Sequence, residues 1–267
     1  MRLKIHQMDA FAERPFEGNP AAVMPLDAWL PDSLMQAIAM ENQLSETAFL
    51  VPDADGDGYG IRWFTPTCEV DLCGHATLAG AWLVLNELRP CLGAVEFRSQ
   101  SGPLRVARDG DWLVLDFPRR PPVPAPEHLP ALARALGAAP VEALMSRDLV
   151  AVFETEGQIR ALAPDFALMA NLPGFGVLAT ARGNSADFVS RCFFPREGIP
   201  EDPVTGSAHS TLIPHWAARI GRTRMEALQL SRRGGRLRCE DRVDRVGIAG
   251  RAVKVMEGVM DIPWEPL

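Results

Sequence analysis

The sequence predicts an α+β protein of two similar, pseudo-symmetric halves, each a curled β-sheet around a central α-helix. Three observations carry that expectation. Arg62-Trp63-Phe64-Thr65-Pro66 recurs as Arg191-Cys192-Phe193-Phe194-Pro195, with Arg, Phe and Pro matching 129 residues apart in a chain of 267. Between Pro118 and Pro130 six of thirteen residues are proline, which reads as a stiff connection and divides the chain nearly in half. From His75 to Leu88, the residues Ala76, Leu78, Ala79, Ala81, Trp82, Leu83, Val84 and Leu85 leave almost no polar face, so this helix must be enclosed on all sides. The expected division is residues 1–117, a linker at 118–130, and residues 131–267, whose final strands can pack back on the first half.

The elements follow in chain order. Arg2 to Phe11 alternates as a strand, Phe16-Glu17-Gly18-Asn19-Pro20 is a turn, and Ala21 to Met24 is a short apolar strand. Pro31-Asp32 opens a helix to about Met40. Thr47 to Val51 and Tyr59 to Phe64 are strands joined by an acidic turn at 53–58. That turn has Asp at 53, 55 and 57 and Gly at 56, like half a calcium loop, but Phe64 stands where the bidentate Glu belongs. It reads as a solvated hairpin turn. Beyond the linker come a helix (Ala131 to Leu136), strands near Leu149 to Phe153 and Gln158 to Ala161, and a helix from Pro164 to Ala170. Strands near Gly176 to Thr180 and Ala186 to Phe194 precede a second central helix, Gly206 to Ile220, which Pro214 should kink or shorten. In the strand-rich end, Gly234-Gly235 between alternating segments marks a hairpin, whose Arg232 and Arg233 read as a solvated face, with an arginine reaching a substrate anion as the alternative.

The composition excludes several function classes. With 27 basic against 34 acidic residues, a net charge of −7 and no long basic run, the chain is unsuited to a phosphate backbone, so no nucleic-acid partner is expected. The most apolar run, Ala76 to Leu85, is half of the roughly 20 residues that a membrane-spanning helix needs, and no membrane partner is expected either. The first residues have cations but no apolar segment behind them, so a cytoplasmic protein without a secretion signal is expected. Five cysteines with no Cys-x-x-Cys pair suit neither a disulfide framework nor a structural zinc site; free thiols and no metal are expected.

Carrying the spacing of 129 forward sets Cys73 opposite Asp202, so each half offers an ionisable side chain just before its central helix. A helix start presents unpaired N–H groups and the positive end of the dipole, which hold a substrate carboxylate or lower a thiol pKa. Asp202-Pro203 also fits a plain N-cap followed by proline at the first helical position. Likewise, Cys73 also fits a small buried hydrophobe and His75 a satisfied helix-start histidine.

The residues themselves resemble a known family. Asp9-Ala10-Phe11, Phe16-Glu17-Gly18-Asn19-Pro20-Ala21-Ala22-Val23, Asn42-Gln43-Leu44-Ser45-Glu46-Thr47-Ala48-Phe49, Cys73-Gly74-His75-Ala76-Thr77 and Glu201-Asp202-Pro203-Val204-Thr205-Gly206-Ser207-Ala208 are together similar to the PhzF-like isomerases, in the family's order. With Ser231-Arg232-Arg233-Gly234-Gly235, the likeness runs over essentially the whole chain. It implies the diaminopimelate-epimerase-like fold, with the active site between the halves, and a homodimer. It also implies cofactor-independent proton shifts or epimerisation on small carboxylates; the namesake isomerises trans-2,3-dihydro-3-hydroxyanthranilate.

By that resemblance Glu46 is the acid/base carboxylate, and His75 and Asp202 accompany it as catalytic partners. Asn19, Ser45, Cys73, Gly74, Gly206 and Ser207 match substrate-contact positions. Related racemases use two opposed cysteines. Here Asp202 is expected at the second position, which excludes a two-thiol mechanism. Two other readings remain open: an amino- or hydroxy-acid epimerase in which Cys73 works against a carboxylate, and a small-metabolite binding protein without turnover.

Overall fold

The computed structural model describes residues 1–262 except 55 and 57, so Asp55 and Asp57 of the acidic turn lie outside the described residues. The chain falls into two compact units: Met1–Asp116 with the chain from Gly250 on, and Phe117–Ala249.

The first unit contains β1 (Arg2–Ala10), β2 (Asn19–Pro25), α1 (Asp32–Asn42), β3 (Glu46–Pro52), β4 (Tyr59–Phe64), β5 (Glu69–Val70), α2 (Gly74–Leu83), β6 (Ala94–Ser99), β7 (Gly102–Asp109) and the start of β8 (Trp112–Pro118). β1 pairs antiparallel with β2, β2 parallel with β3, and β3 antiparallel with β4. One end of β4 takes β5 antiparallel and the other takes β6 parallel; β7 and β8 follow antiparallel. As its apolar sequence requires, α2 is enclosed: every residue from Gly74 to Leu85 except Trp82 is buried, and the helix runs on as a π-helical turn to Leu88. Each fully buried leucine there, Leu78, Leu83 and Leu85, contributes about 2 kcal/mol by leaving water.

The second unit contains β9 (Val123–Pro124), α3 (Leu129–Leu136), β10 (Glu142–Met145), β11 (Leu149–Val152), α4 (Glu156–Ala161), α5 (Phe166–Met169), β12 (Val177–Arg182), β13 (Phe188–Phe194), β14 (Ile199–Asp202), α6 (His209–Ile220), β15 (Arg224–Gln229), β16 (Gly235–Asp241) and β17 (Arg245–Gly250). Its pairing repeats the first unit's step for step. β10 with β11 is antiparallel, β11 with β12 parallel, and β12 with β13 antiparallel. β13 takes β14 antiparallel and β15 parallel, and β16 and β17 follow antiparallel. Even the outermost strands correspond. β9 pairs antiparallel with β10, as β18 (Ala252–Asp261) does with β1.

Four expectations are corrected. The segment Gln158 to Ala161 is part of helix α4, held by a capping box in which Thr155 and Gln158 satisfy each other's backbone N–H groups. The second central helix begins at His209, so Asp202 is the end of a strand and neither an N-cap nor the residue before a helix. Pro214 does not shorten α6, which runs to Ile220. The Ser210 carbonyl that Pro214 cannot serve accepts a hydrogen bond from the Arg120 N–H at 2.9 Å instead.

The fourth correction concerns the repeat. In the first unit Arg62 forms a two-pronged pair with Glu69, at 2.7 Å for both contacts. In the second Arg191 does the same with Glu201, at 2.7 and 2.8 Å. The arginines are 129 residues apart but the glutamates 132, so three residues enter the second loop. Strand pairing agrees: Val70 lies opposite Trp63, and Asp202 lies opposite Cys192. Asp202 therefore corresponds to Val70, and the residue corresponding to Cys73 is Thr205. A further match confirms the shift, since the Thr77 hydroxyl bonds the Cys73 carbonyl and His209 Nδ1 the Thr205 carbonyl.

Candidate active site

Local structure in the first unit gathers four side chains. The first is Asn19. The Asp9 carboxylate, itself buried, accepts the Phe16 N–H at 2.6 Å, and both Phe16 and Gly18 adopt positive φ. A Cβ on Gly18 would meet the Ala10 carbonyl oxygen at 2.1 Å, so only glycine lets the loop close here. This turn delivers Asn19 to the start of β2, fully buried.

Glu46 opens β3, opposite Ala21 of β2. It follows α1, whose end is set by Gln43 in the left-handed conformation and by a 3.0 Å bond from Asn42 Nδ2 to the Thr47 hydroxyl. Cys73 is the extended residue that precedes α2, and His75 is in its first turn.

The four meet around one imidazole. His75 Nδ1 is 3.2 Å from Asn19 Nδ2 and 3.5 Å from Cys73 Sγ, and Nε2 is 3.1 Å from Glu46 Oε2. The last distance is that of an ion pair, but the two groups are not aligned for a hydrogen bond. His75 Nε2 and Glu46 Oε2 thus lack a hydrogen-bond partner among the described residues, although both are buried. Burial opposes charge on His75, but the Cys73 sulfur and the Glu46 carboxylate outweigh it and hold the imidazole pKa well above its usual value. Burial pushes the Cys73 thiol up to about 11, so it is protonated at neutral pH. Cys73 is no activated nucleophile. Ser45, beside Glu46, is half-buried, and Gly74 is buried at the helix start.

Asp202, Gly206 and Ser207 belong to the second unit. There the Asp202 carboxylate accepts from the Thr205 hydroxyl, and Gln229 Nε2 donates to the Asp202 carbonyl at 2.8 Å and to Thr205 Oγ1 at 3.1 Å. The Gln229 carbonyl in turn accepts the Thr205 N–H at 2.8 Å. Gly206 and half-buried Ser207 form a hydrogen-bonded turn leading into α6. Sequence reasoning did not single out Thr205, Gln229 or His209; the repeat, carried at 132 residues, would have pointed to Thr205.

Known proteins resemble this chain along nearly its whole length. The family described as PhzC-PhzF, phenazine biosynthesis-like protein, matches residues 8–258. An uncharacterized isomerase of Pseudomonas aeruginosa is 53% identical over 264 residues, covering 98% of this chain and 100% of that protein. The crystal structure of a PhzF-family phenazine biosynthesis protein from Enterococcus faecalis superposes with a TM-score of 0.95 at 47% identity, covering 98% of this chain and 100% of the other. A probable proline racemase from Agrobacterium radiobacter, at 12% identity and a TM-score of 0.67 over 99% of this chain and 94% of that one, shares the fold, which is the diaminopimelate-epimerase-like one.

Proposed function

The chain belongs to the PhzC-PhzF, phenazine biosynthesis-like family of isomerases, and from that premise we propose that it moves a proton on a small carboxylate-bearing substrate, without a cofactor, through Glu46. The single observation that carries the proposal is the buried Glu46 Oε2 facing His75 Nε2 at 3.1 Å, with neither atom in an aligned hydrogen bond among the described residues. A carboxylate in this state is a poorly solvated base. It removes a proton from a substrate carbon and, as the acid so formed, returns it to another position. His75, held in orientation by Asn19, offers Nε2–H to the charge that develops on the substrate, and the α2 start, with Gly74, suits a carboxylate. Asp202 is the second carboxylate of this reading, and Ser45, Gly206 and Ser207 are its substrate contacts. A soluble cytoplasmic homodimer is part of the same proposal; no helix among the described residues is long and apolar enough to cross a membrane.

An epimerase with two thiols has no second thiol at the corresponding position, where Thr205 stands. The Cys73 thiol, held protonated, supports a packing or proton-donor role. The experiment that tests the proposal is solvent-deuterium incorporation followed by NMR over a panel of dihydro-hydroxyanthranilate, amino acids and hydroxy acids. The expected outcome is incorporation at a substrate carbon by the wild type and its loss in Glu46→Gln. A panel member that binds tightly with no exchange by the wild type would favour a binding protein instead.

A further inference from the structure

Glu46, Cys73 and His75 bring one carboxylate oxygen, one sulfur and one imidazole nitrogen within 4.8 Å of one another, all three residues buried. We propose that these three side chains bind a divalent transition-metal ion of the zinc class, which competes with substrate for the site. Its consequence for turnover rests on the reading above, because a bound ion would take up the Glu46 oxygen that serves as base; its occupancy does not.

The donor set carries the inference. Sulfur, nitrogen and oxygen together suit zinc and its neighbours, and hard ions such as magnesium or calcium prefer all-oxygen sites. Three protein ligands leave the fourth tetrahedral position for water, the pattern of open zinc sites. Bond lengths of about 2.0–2.3 Å place tetrahedral donors about 3.4–3.6 Å apart, so donors that lie within 4.8 Å of one another must draw together around the ion to complete the site. Glu46 Oε2 lies 3.1 Å from His75 Nε2, each without a hydrogen bond among the described residues, and the inferred ion takes both, with the Cys73 sulfur, now 3.5 Å from Nδ1, moving round to it. Asn19, whose Nδ2 lies 3.2 Å from Nδ1, becomes the group that orients the ligating imidazole once its amide turns to present the oxygen to Nδ1–H. Binding expels the Cys73 thiol proton and the proton on His75 Nε2 to solvent; nothing is oxidised or reduced.

A second cluster in the same unit provides the control. His6, buried with neither ring nitrogen hydrogen-bonded among the described residues, adjoins Glu87 and Glu257. There the Lys254 ammonium already lies 2.6 Å from Glu87 and 2.8 Å from Glu257, so a metal would have to displace a resident cation.

Equilibrium dialysis with zinc, and titration with cobalt as its spectroscopic substitute, test the proposal on the intact protein. The expected result is one ion per chain and a sulfur-to-cobalt charge-transfer band. Cys73→Ser, with its fold checked by circular dichroism, should lose the band and weaken binding at least about a hundredfold; His75→Gln is the independent ligand-loss variant. His6→Leu should bind as the wild type does. No saturable binding, binding without the sulfur band, or binding lost in His6→Leu and kept in Cys73→Ser would overturn the proposal. None of these readouts uses turnover, so a failure to detect exchange leaves them intact.

Discussion

In the first unit the loop before the central helix ends in Cys73-Gly74-His75; in the second, after three additional residues, it ends in Thr205-Gly206-Ser207. Around both stand a strand, a two-pronged Arg–Glu pair and an arginine stacked on phenylalanine at 5.2 Å, Arg62 on Phe64 and Arg191 on Phe193. The contents differ. Thr47 pairs with Phe64 as Val177 pairs with Phe193, so the position of Glu46 is taken in the second unit by Gly176, where a Cβ would meet the Phe194 ring at 2.3 Å. The first unit thus holds a carboxyl, a thiol and an imidazole, with Glu46 Oε2 and His75 Nε2 unmet by a hydrogen bond among the described residues. The second holds Asp202 in a network closed by Thr205 and Gln229. One scaffold used twice thus carries different side chains at corresponding positions, Cys73 against Thr205 and Glu46 against Gly176.

The comparison breaks most visibly if the second network is removed. Gln229→Leu strands the buried Thr205 N–H and Asp202 carbonyl and should cost about 3 kcal/mol in urea unfolding; a cost under about 1 kcal/mol would mean the network is not what holds the loop. A pH series separates the two histidines by sign. Burial lowers His209 to about 4, so its contribution is intact above about 6.5 and is lost as pH falls from there toward 4, on the order of 3 kcal/mol. His75 is shifted the other way, so its contribution is full below about 6.5 and is lost as pH rises through its raised value. Urea unfolding of wild type and His209→Gln from pH 7 to 4 should show a flatter acid slope in the variant.

The frame itself gives a smaller contrast. Arg191 also serves the Ile159 and Leu162 carbonyls, at 3.3 and 3.0 Å, so Arg191→Lys should cost about 2 kcal/mol and Arg62→Lys about 1 kcal/mol, read from the same unfolding curves. Equal costs would remove the asymmetry. Smallest is Cys73→Ala, expected to lower stability by about 1 kcal/mol and to leave substrate exchange largely intact. A loss of about a hundredfold or more would instead make Cys73 a proton donor in the reaction.

Much of this was legible in the sequence where one local signal dominated. Tyr59–Phe64 is a strand as its alternation requires, and the enclosed helix after Cys73 follows from a face without polar residues. The hairpin at Gly234-Gly235 follows from its turn chemistry. Glu46, His75 and Cys73 could be singled out from motifs, but their convergence on one imidazole depends on the pairing of β2 with β3 and on the Gly18 turn, which only the assembled sheet reveals. The errors have equally physical causes. Gln158 to Ala161 is too short for periodicity to distinguish strand from helix, and the Thr155–Gln158 capping box decided it. A spacing of 129 holds along a paired strand, where register is rigid, and fails in the loop beyond it, where three inserted residues cost little.

The measurement that tests the assignment of chemistry to the first unit most directly is solvent-deuterium incorporation into a substrate by wild type, Glu46→Gln and Gln229→Leu, with folding checked in each. Folded Glu46→Gln should lose at least about a hundredfold in exchange rate, far more than folded Gln229→Leu, which leaves the Asp202 side chain in place. Exchange that survives undiminished in Glu46→Gln would contradict the account.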